Sequence, residues 1–108
     1  MSPPIRTIVG YINSNLDRRL TLNDLARSAR LSRSRMCYLF KEEIGMPPAQ
    51  YVKTVRMQKA AELLETTSLT VKQIRAKIGM QDESRFVRAF KKMYGLAPSH
   101  YRTRRSLL

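Results

Sequence analysis

Apolar residues fall at helical spacing along almost the whole chain. Ile5, Ile8, Val9, Ile12 and Leu16 lie on one face of a first predicted helix, with Ser2 and Pro3 suited to its N-cap and first turn and an end near Asn15 to Arg18. Thr21 followed by Asp24 is a carboxylate variant of the capping box, and it opens a short helix whose apolar face is Leu22, Leu25, Ala26 and Ala29. Arg30-Leu31-Ser32 forms a turn, after which Ser32 caps a helix that turns Met36, Leu39, Phe40 and Ile44 inward until Gly45 ends it. Pro47 and Pro48 break the chain; Tyr51, Val52, Val55, Ala60, Leu63 and Leu64 then describe a long helix running to about Glu65.

The plan repeats in the second half. Thr70 and Gln73 make a capping box, Val71, Ile74, Ala76 and Ile78 point inward, and Gly79 is free to take the positive φ of a tight turn. Asp82 caps the next helix, whose core face is Phe86, Ala89, Phe90 and Met93 until Gly95, and a short last turn near Pro98 leads into a basic end, Arg102-Thr-Arg104-Arg105, expected to fray. Thr21-Leu22-x-x-Leu25 recurs as Thr70-Val71-x-x-Ile74. With the register lengthened by one residue, Met36, Phe40, Lys41, Gly45, Pro48 and Tyr51 then match Phe86, Phe90, Lys91, Gly95, Pro98 and Tyr101. The expected fold is all-α: two helix-turn-helix subdomains, homeodomain-like, over residues 1–51 and 67–108, joined by a linker helix over residues 52–66, with about seven helices in all.

Charge turns this plan towards a polyanion. Lys and Arg number 21 against 8 Asp and Glu, a formal net charge of +13 on 108 residues, and a repeated helical unit carrying that charge suits successive faces of a DNA duplex. One cysteine, Cys37, and one histidine, His100, exclude an intramolecular disulfide and a Cys/His metal site. His100 has no second ligand or nucleophile set beside it, Ser32, Ser34 and Asp24 do not form a triad, and no paired carboxylates or phosphate loop are present, so neither an enzyme nor a cofactor is expected. The six methionines read as core filler. No apolar run approaches the roughly 20 residues that span a bilayer, and Met1-Ser2-Pro3-Pro4 lacks the apolar core of a signal peptide, so a cytoplasmic, nucleoid-associated protein is expected.

The outward faces of the two capped helices carry the candidate chemistry: Arg33, Ser34, Cys37, Tyr38 and Lys41 on the first, and Glu83, Ser84, Arg85, Arg88 and Lys92 on the second. Arg donates bidentately to guanine O6 and N7, Glu accepts from cytosine N4, Ser contacts either kind of edge, and small apolar groups meet the thymine methyl. Lys41, Lys91, Arg102 and the amides that open the helices at Thr21 and Thr70 are the phosphate candidates. The reading from another class is a basic interaction module that contacts RNA polymerase or another acidic partner, with DNA binding secondary; a sequence-blind coating protein fits less well because Glu83 stands on a reading face.

Leu25-Ala26, the segment from Leu31-Ser32 to Leu39-Phe40-Lys41, Gly45-x-x-Pro48-x-x-Tyr51, Arg56-x-x-x-Ala60 and Leu63-Leu64 belong to one pattern. With Gly79 and Phe86-x-Arg88-Ala89-Phe90-Lys91-x-x-x-Gly95-x-x-Pro98-x-x-Tyr101-Arg102 they resemble the DNA-binding domain of the AraC/XylS family of bacterial transcription regulators. The match covers nearly the whole chain and is most specific at the C-terminal stretch. It implies two helix-turn-helix subdomains binding consecutive major grooves on one DNA face, and promoter activation or repression through RNA polymerase. It places base contacts at Ser34, Cys37 and Tyr38 and at Glu83, Ser84, Arg85 and Arg88. Recognition helices about 34 Å apart would match one helical turn, and a rigid joining helix would require the DNA to bend. The resemblance leaves two origins open, a stand-alone regulator of the short type or the C-terminal domain of a longer protein whose sensing or dimerisation domain lies outside this chain, the second being the commoner family arrangement. Three features depart from the pattern: Arg30 where the family often has Gly, Met80 for a common Phe, and a first reading face of Ser34, Cys37 and Tyr38 that is poor in hydrogen-bonding groups, which assigns shape and thymine methyls to the first helix and most direct specificity to the second.

Overall fold

The computed structural model describes residues 1–106 and holds seven helices among them: α1 (Pro3–Ser14), α2 (Leu22–Ser28), α3 (Arg33–Ile44), α4 (Pro48–Thr66), α5 (Val71–Lys77), α6 (Glu83–Tyr94) and α7 (Pro98–Ser106). Two compact units divide within α4, between Val55 and Arg56.

In the first unit Ile5, Ile8 and Ile12 of α1 close over Leu25 and Ala26 of α2, Met36 and Phe40 of α3 and Val52 of α4. Leu16, predicted on the first helix, is buried just beyond its end. In the second unit the place of α1 is taken by the later part of α4, whose Met57, Ala60, Ala61, Leu63 and Leu64 pack with Ile74, Ile78, Phe86 and Phe90. Each unit is therefore a helix, a helix-turn-helix and a closing helix, with α4 closing the first and opening the second. The aromatic repeat is reproduced in space: Phe40 meets Tyr51 edge-on at 5.3 Å, and Phe90 meets Tyr101 edge-on at 5.2 Å.

Helices of seven residues, as α2 and α5 are, do not hold in water by propensity alone. Their ends are fastened as the sequence predicts. Thr21 Oγ1 accepts from the Asp24 amide while Asp24 accepts from the Thr21 amide, and Thr70 and Gln73 repeat the arrangement. The Thr21 amide, with its hydroxyl contact, holds the Asp24 carboxyl below the usual carboxylate range.

Both helices then close with the same C-cap. Leu31 N–H bonds the Ala26 carbonyl and Arg30 N–H that of Arg27; Met80 N–H bonds the Arg75 carbonyl and Gly79 N–H that of Ala76. This is the six-to-one, five-to-two pattern that needs a left-handed residue, supplied by Gly79 at φ +72° and by Arg30 at φ +57°. Arg30 pays about 1 kcal/mol for the conformation that Gly79 adopts freely. The exposed face of that turn lets the arginine side chain stay in water.

Three expectations are corrected. Ala76 is exposed, and so is Met93, while Tyr94 packs against the second core in its place. The basic end is not frayed over the described residues but forms α7. Its guanidinium groups satisfy the end of α4: Arg102 donates from Nε to the Leu64 carbonyl and from Nη2 to that of Thr67, and Arg105 pairs with Glu65 at 2.6 Å. Cations facing the last carbonyls of a helix are favoured by its dipole. Tyr101 donates to the same Glu65 carboxylate. Burial and that neighbouring charge both push its phenol above the usual value.

Candidate nucleic-acid interface

Ser32 and Asp82 start the two candidate reading helices: their side chains accept from the Arg35 and Arg85 amides at 3.1 and 3.0 Å. Gly45 and Gly95, both left-handed, end them. Between cap and stop each helix has twelve residues, and the two phenylalanine-type positions of each, Met36 and Phe40 or Phe86 and Phe90, are sealed in the core. Burying those residues fixes the phase of the helix, so the opposite stripe must face outward.

On α3 that stripe is Ser34, Arg35, Tyr38, Lys41 and Glu42, all exposed, with Tyr38 at 62%, and Arg33 is exposed as the residue that opens the helix. On α6 it is Ser84, Arg85, Arg88, Lys91 and Lys92, again all exposed, with Glu83 exposed at the helix start. Ser34 and Tyr38, like Ser84 and Arg88, are four residues apart and share one face. Cys37 stands apart from this set: it is half-buried and packs against the first core, as Val87 does in the second. Its sulfur is therefore set back from the stripe that Ser34 and Tyr38 present.

Arg35 is not among the sequence candidates, yet it is exposed on the stripe and occupies the register of Arg85. The repeat itself carries the signal that finds it. The first face thus gains a bidentate donor, and the contrast in hydrogen-bonding capacity between the two helices narrows.

Lys41 and Lys91 hold matching places near the helix ends. Arg102 is half-buried with its guanidinium on the α4 carbonyls, a different placement from that of the two exposed lysines. Among the amides opening α2 and α5, those of Thr21, Asp24, Thr70 and Gln73 are engaged in the capping boxes. Glu83 pairs with Arg75 of α5, Oε2 to Nη2, at 3.8 Å.

Among the described residues no group of His, Cys, Asp and Glu stands close enough to hold a metal ion, and no helix is long and apolar enough to cross a membrane. What remains is two separately framed, solvent-facing helices rich in groups that pair with base edges and phosphates.

A family model described as a helix-turn-helix domain matches residues 25–104. The chain is similar to the lactose operon transcription activator of Staphylococcus xylosus, 34% identical over 98 residues that make up 91% of this chain and 35% of that protein, so it spans about a third of that relative's length. Among solved structures it resembles a Chromobacterium violaceum regulator of the AraC-type DNA-binding-domain class, with a TM-score of 0.88 at 26% identity, covering 96% of this chain and 93% of that one. It resembles equally the DNA-binding domain of the global transcriptional factor AdpA in complex with a target DNA, with a TM-score of 0.88 at 26% identity, over 94% of this chain and 92% of that one. In fold and in family this is a chain of DNA-binding transcription regulators rather than of enzymes, and it belongs to the helix-turn-helix family of AraC-type DNA-binding domains.

Proposed function

We propose that this chain reads double-stranded DNA through two units of one polypeptide, α3 entering one major groove and α6 the next, and that it thereby controls promoter activity. The observation that carries the reading is the pair of matched exposed stripes on α3 and α6, each held in phase by a buried aromatic or methionine face. Base reading falls to Arg33, Ser34, Arg35 and Tyr38 on the first helix and to Glu83, Ser84, Arg85 and Arg88 on the second. Cys37, packed against the core, supports the first helix and offers at most an apolar edge to a thymine methyl. Lys41 and Lys91 fix the register on the phosphates, while Arg102 serves the fold of the second unit through the α4 carbonyls.

In this reading DNA is the first partner and RNA polymerase the second, reached from the DNA-bound state in the nucleoid. A sensing or dimerisation domain is a further candidate partner, since the chain spans about a third of the length of the lactose operon transcription activator.

Two substitutions separate reading from anchoring. Arg85→Ala is expected to lower affinity for the preferred duplex by about 1–3 kcal/mol and to relax preference at one base pair, whereas Lys91→Ala weakens every duplex alike and reduces the salt slope by about one. Titrations against a preferred and a random duplex check this. Equal losses on both duplexes for both variants would refute the division of labour.

A further inference from the structure

The two turns are built alike in backbone but differ beneath. Leu25-Ala26 of α2 corresponds to Ile74-Arg75 of α5. Ala26 is a buried core residue, whereas its counterpart Arg75 is a cation whose side chain is only 13% exposed. Its Nη1 donates to the Gln81 carbonyl, its Nη2 lies 3.8 Å from Glu83 Oε2, and its Nε is enclosed without an acceptor. Removing a guanidinium from water in this way is costly, and the first unit packs the same position with a methyl group. Packing therefore does not account for Arg75.

Its contacts do. Gln81 directly precedes Asp82, the N-cap of α6, and Glu83 is the first residue of α6. One side chain thus grips the strand of chain entering the reading helix and the carboxylate at that helix's tip. We propose that Arg75 is a positioning residue for sequence reading: it holds Glu83 by Oε2 and directs Oε1 outward to accept from cytosine N4. The proposal rests on α6 being a base-reading helix. The carboxylate is otherwise 70% exposed at its side chain, and an untethered glutamate there would spread over several rotamers and lose its selectivity for one base edge.

The test uses the duplex that the wild-type chain selects from a random library, the single-base-pair variants of that duplex, and a random-sequence duplex. Four proteins are titrated against them: wild type, Arg75→Met, Glu83→Gln and the double variant. Arg75→Met is expected to reduce discrimination about tenfold at one base pair, the same pair at which Glu83→Gln loses it. The double variant loses no more than either single one. For Arg75→Met, affinity for the random duplex and its salt slope stay near wild type.

If Glu83→Gln shifts the preference and Arg75→Met does not, or if Arg75→Met weakens all duplexes equally, the positioning role is overturned while the base-reading helix stands. If Glu83→Gln leaves every preference intact, the reading by Glu83 falls and the positioning role with it. Should Arg75→Met fail to fold by circular dichroism, Arg75→Lys takes its place. A lysine keeps the charge but not the forked two-point grip, so partial loss of discrimination at that pair is expected and full retention overturns the proposal.

Discussion

Phe90→Ala is expected to cost about 3–5 kcal/mol and to abolish the cooperative folding of the second unit. Phe90 is fully buried, and its ring lies 5.9 Å from Phe86, 4.7 Å from Tyr94 and 5.2 Å from Tyr101. It therefore joins α6 to α7, and those partners are too far apart to collapse onto a methyl group. A loss of this size is a large share of the stability a domain this small possesses. The first unit has a core of its own around Phe40 and Met36. Hydrogen exchange should accordingly lose protection in α5, α6 and α7 while α1 and α3 keep theirs. Unchanged protection in α6, or a midpoint shift equivalent to less than about 1 kcal/mol, would contradict the role given to Phe90.

Affinity for DNA should fall about a thousandfold between 50 and 200 mM monovalent salt, with a logarithmic slope of roughly −5 if about six phosphates are neutralised. The formal charge of +13 supplies the cations. Arg33, Arg35, Lys41, Arg85, Arg88, Lys91 and Lys92 stand exposed on α3 and α6, so the charge is present where the duplex is proposed to lie. Arg102 and Arg105 are committed to the end of α4 and should add little to the slope. A slope shallower than about −2 would point to a protein partner for the basic surface instead.

What was legible in the sequence is what depends on local chemistry. Thr21 with Asp24, Thr70 with Gln73, Ser32 and Asp82 cap helices because their side chains reach amides three residues away, a relation written in spacing alone. The pattern also pointed to Gly79 in the turn and Gly45 and Gly95 at the stops, since each takes a left-handed φ. The internal repeat by itself carries the two-unit plan. Less legible were positions at the edge of an apolar stripe, where a rotation of one residue decides burial. Cys37 reads as outward and packs inward, whereas Ala76 and Met93 read as inward and are exposed. The repeat resolves the first case, because Cys37 holds the register of the apolar Val87.

Least legible were residues whose partners are distant in sequence. Nothing local to Arg102 distinguishes a phosphate ligand from a side chain that satisfies Leu64 and Thr67 carbonyls across the second unit. The same holds for the basic end as a whole, which becomes helical in α7 because Glu65 and the end of α4 meet it. Arg75 looked like one more surface cation on a basic chain, and only its enclosure between Gln81 and Glu83 gives it a distinct place. Charge counting identifies the kind of partner but does not sort the cations that fold the protein from those that meet the ligand.

The central claim is that one chain reads two separate blocks of sequence. Selection from a random duplex library by the unmodified chain, at low and at moderate salt, followed by sequencing of the bound fraction, tests it most directly. Two preferred blocks separated by about one helical turn of DNA, 10 to 10.5 base pairs from centre to centre, are the predicted result. A single short block, or no enrichment with binding that vanishes as salt rises, would contradict it.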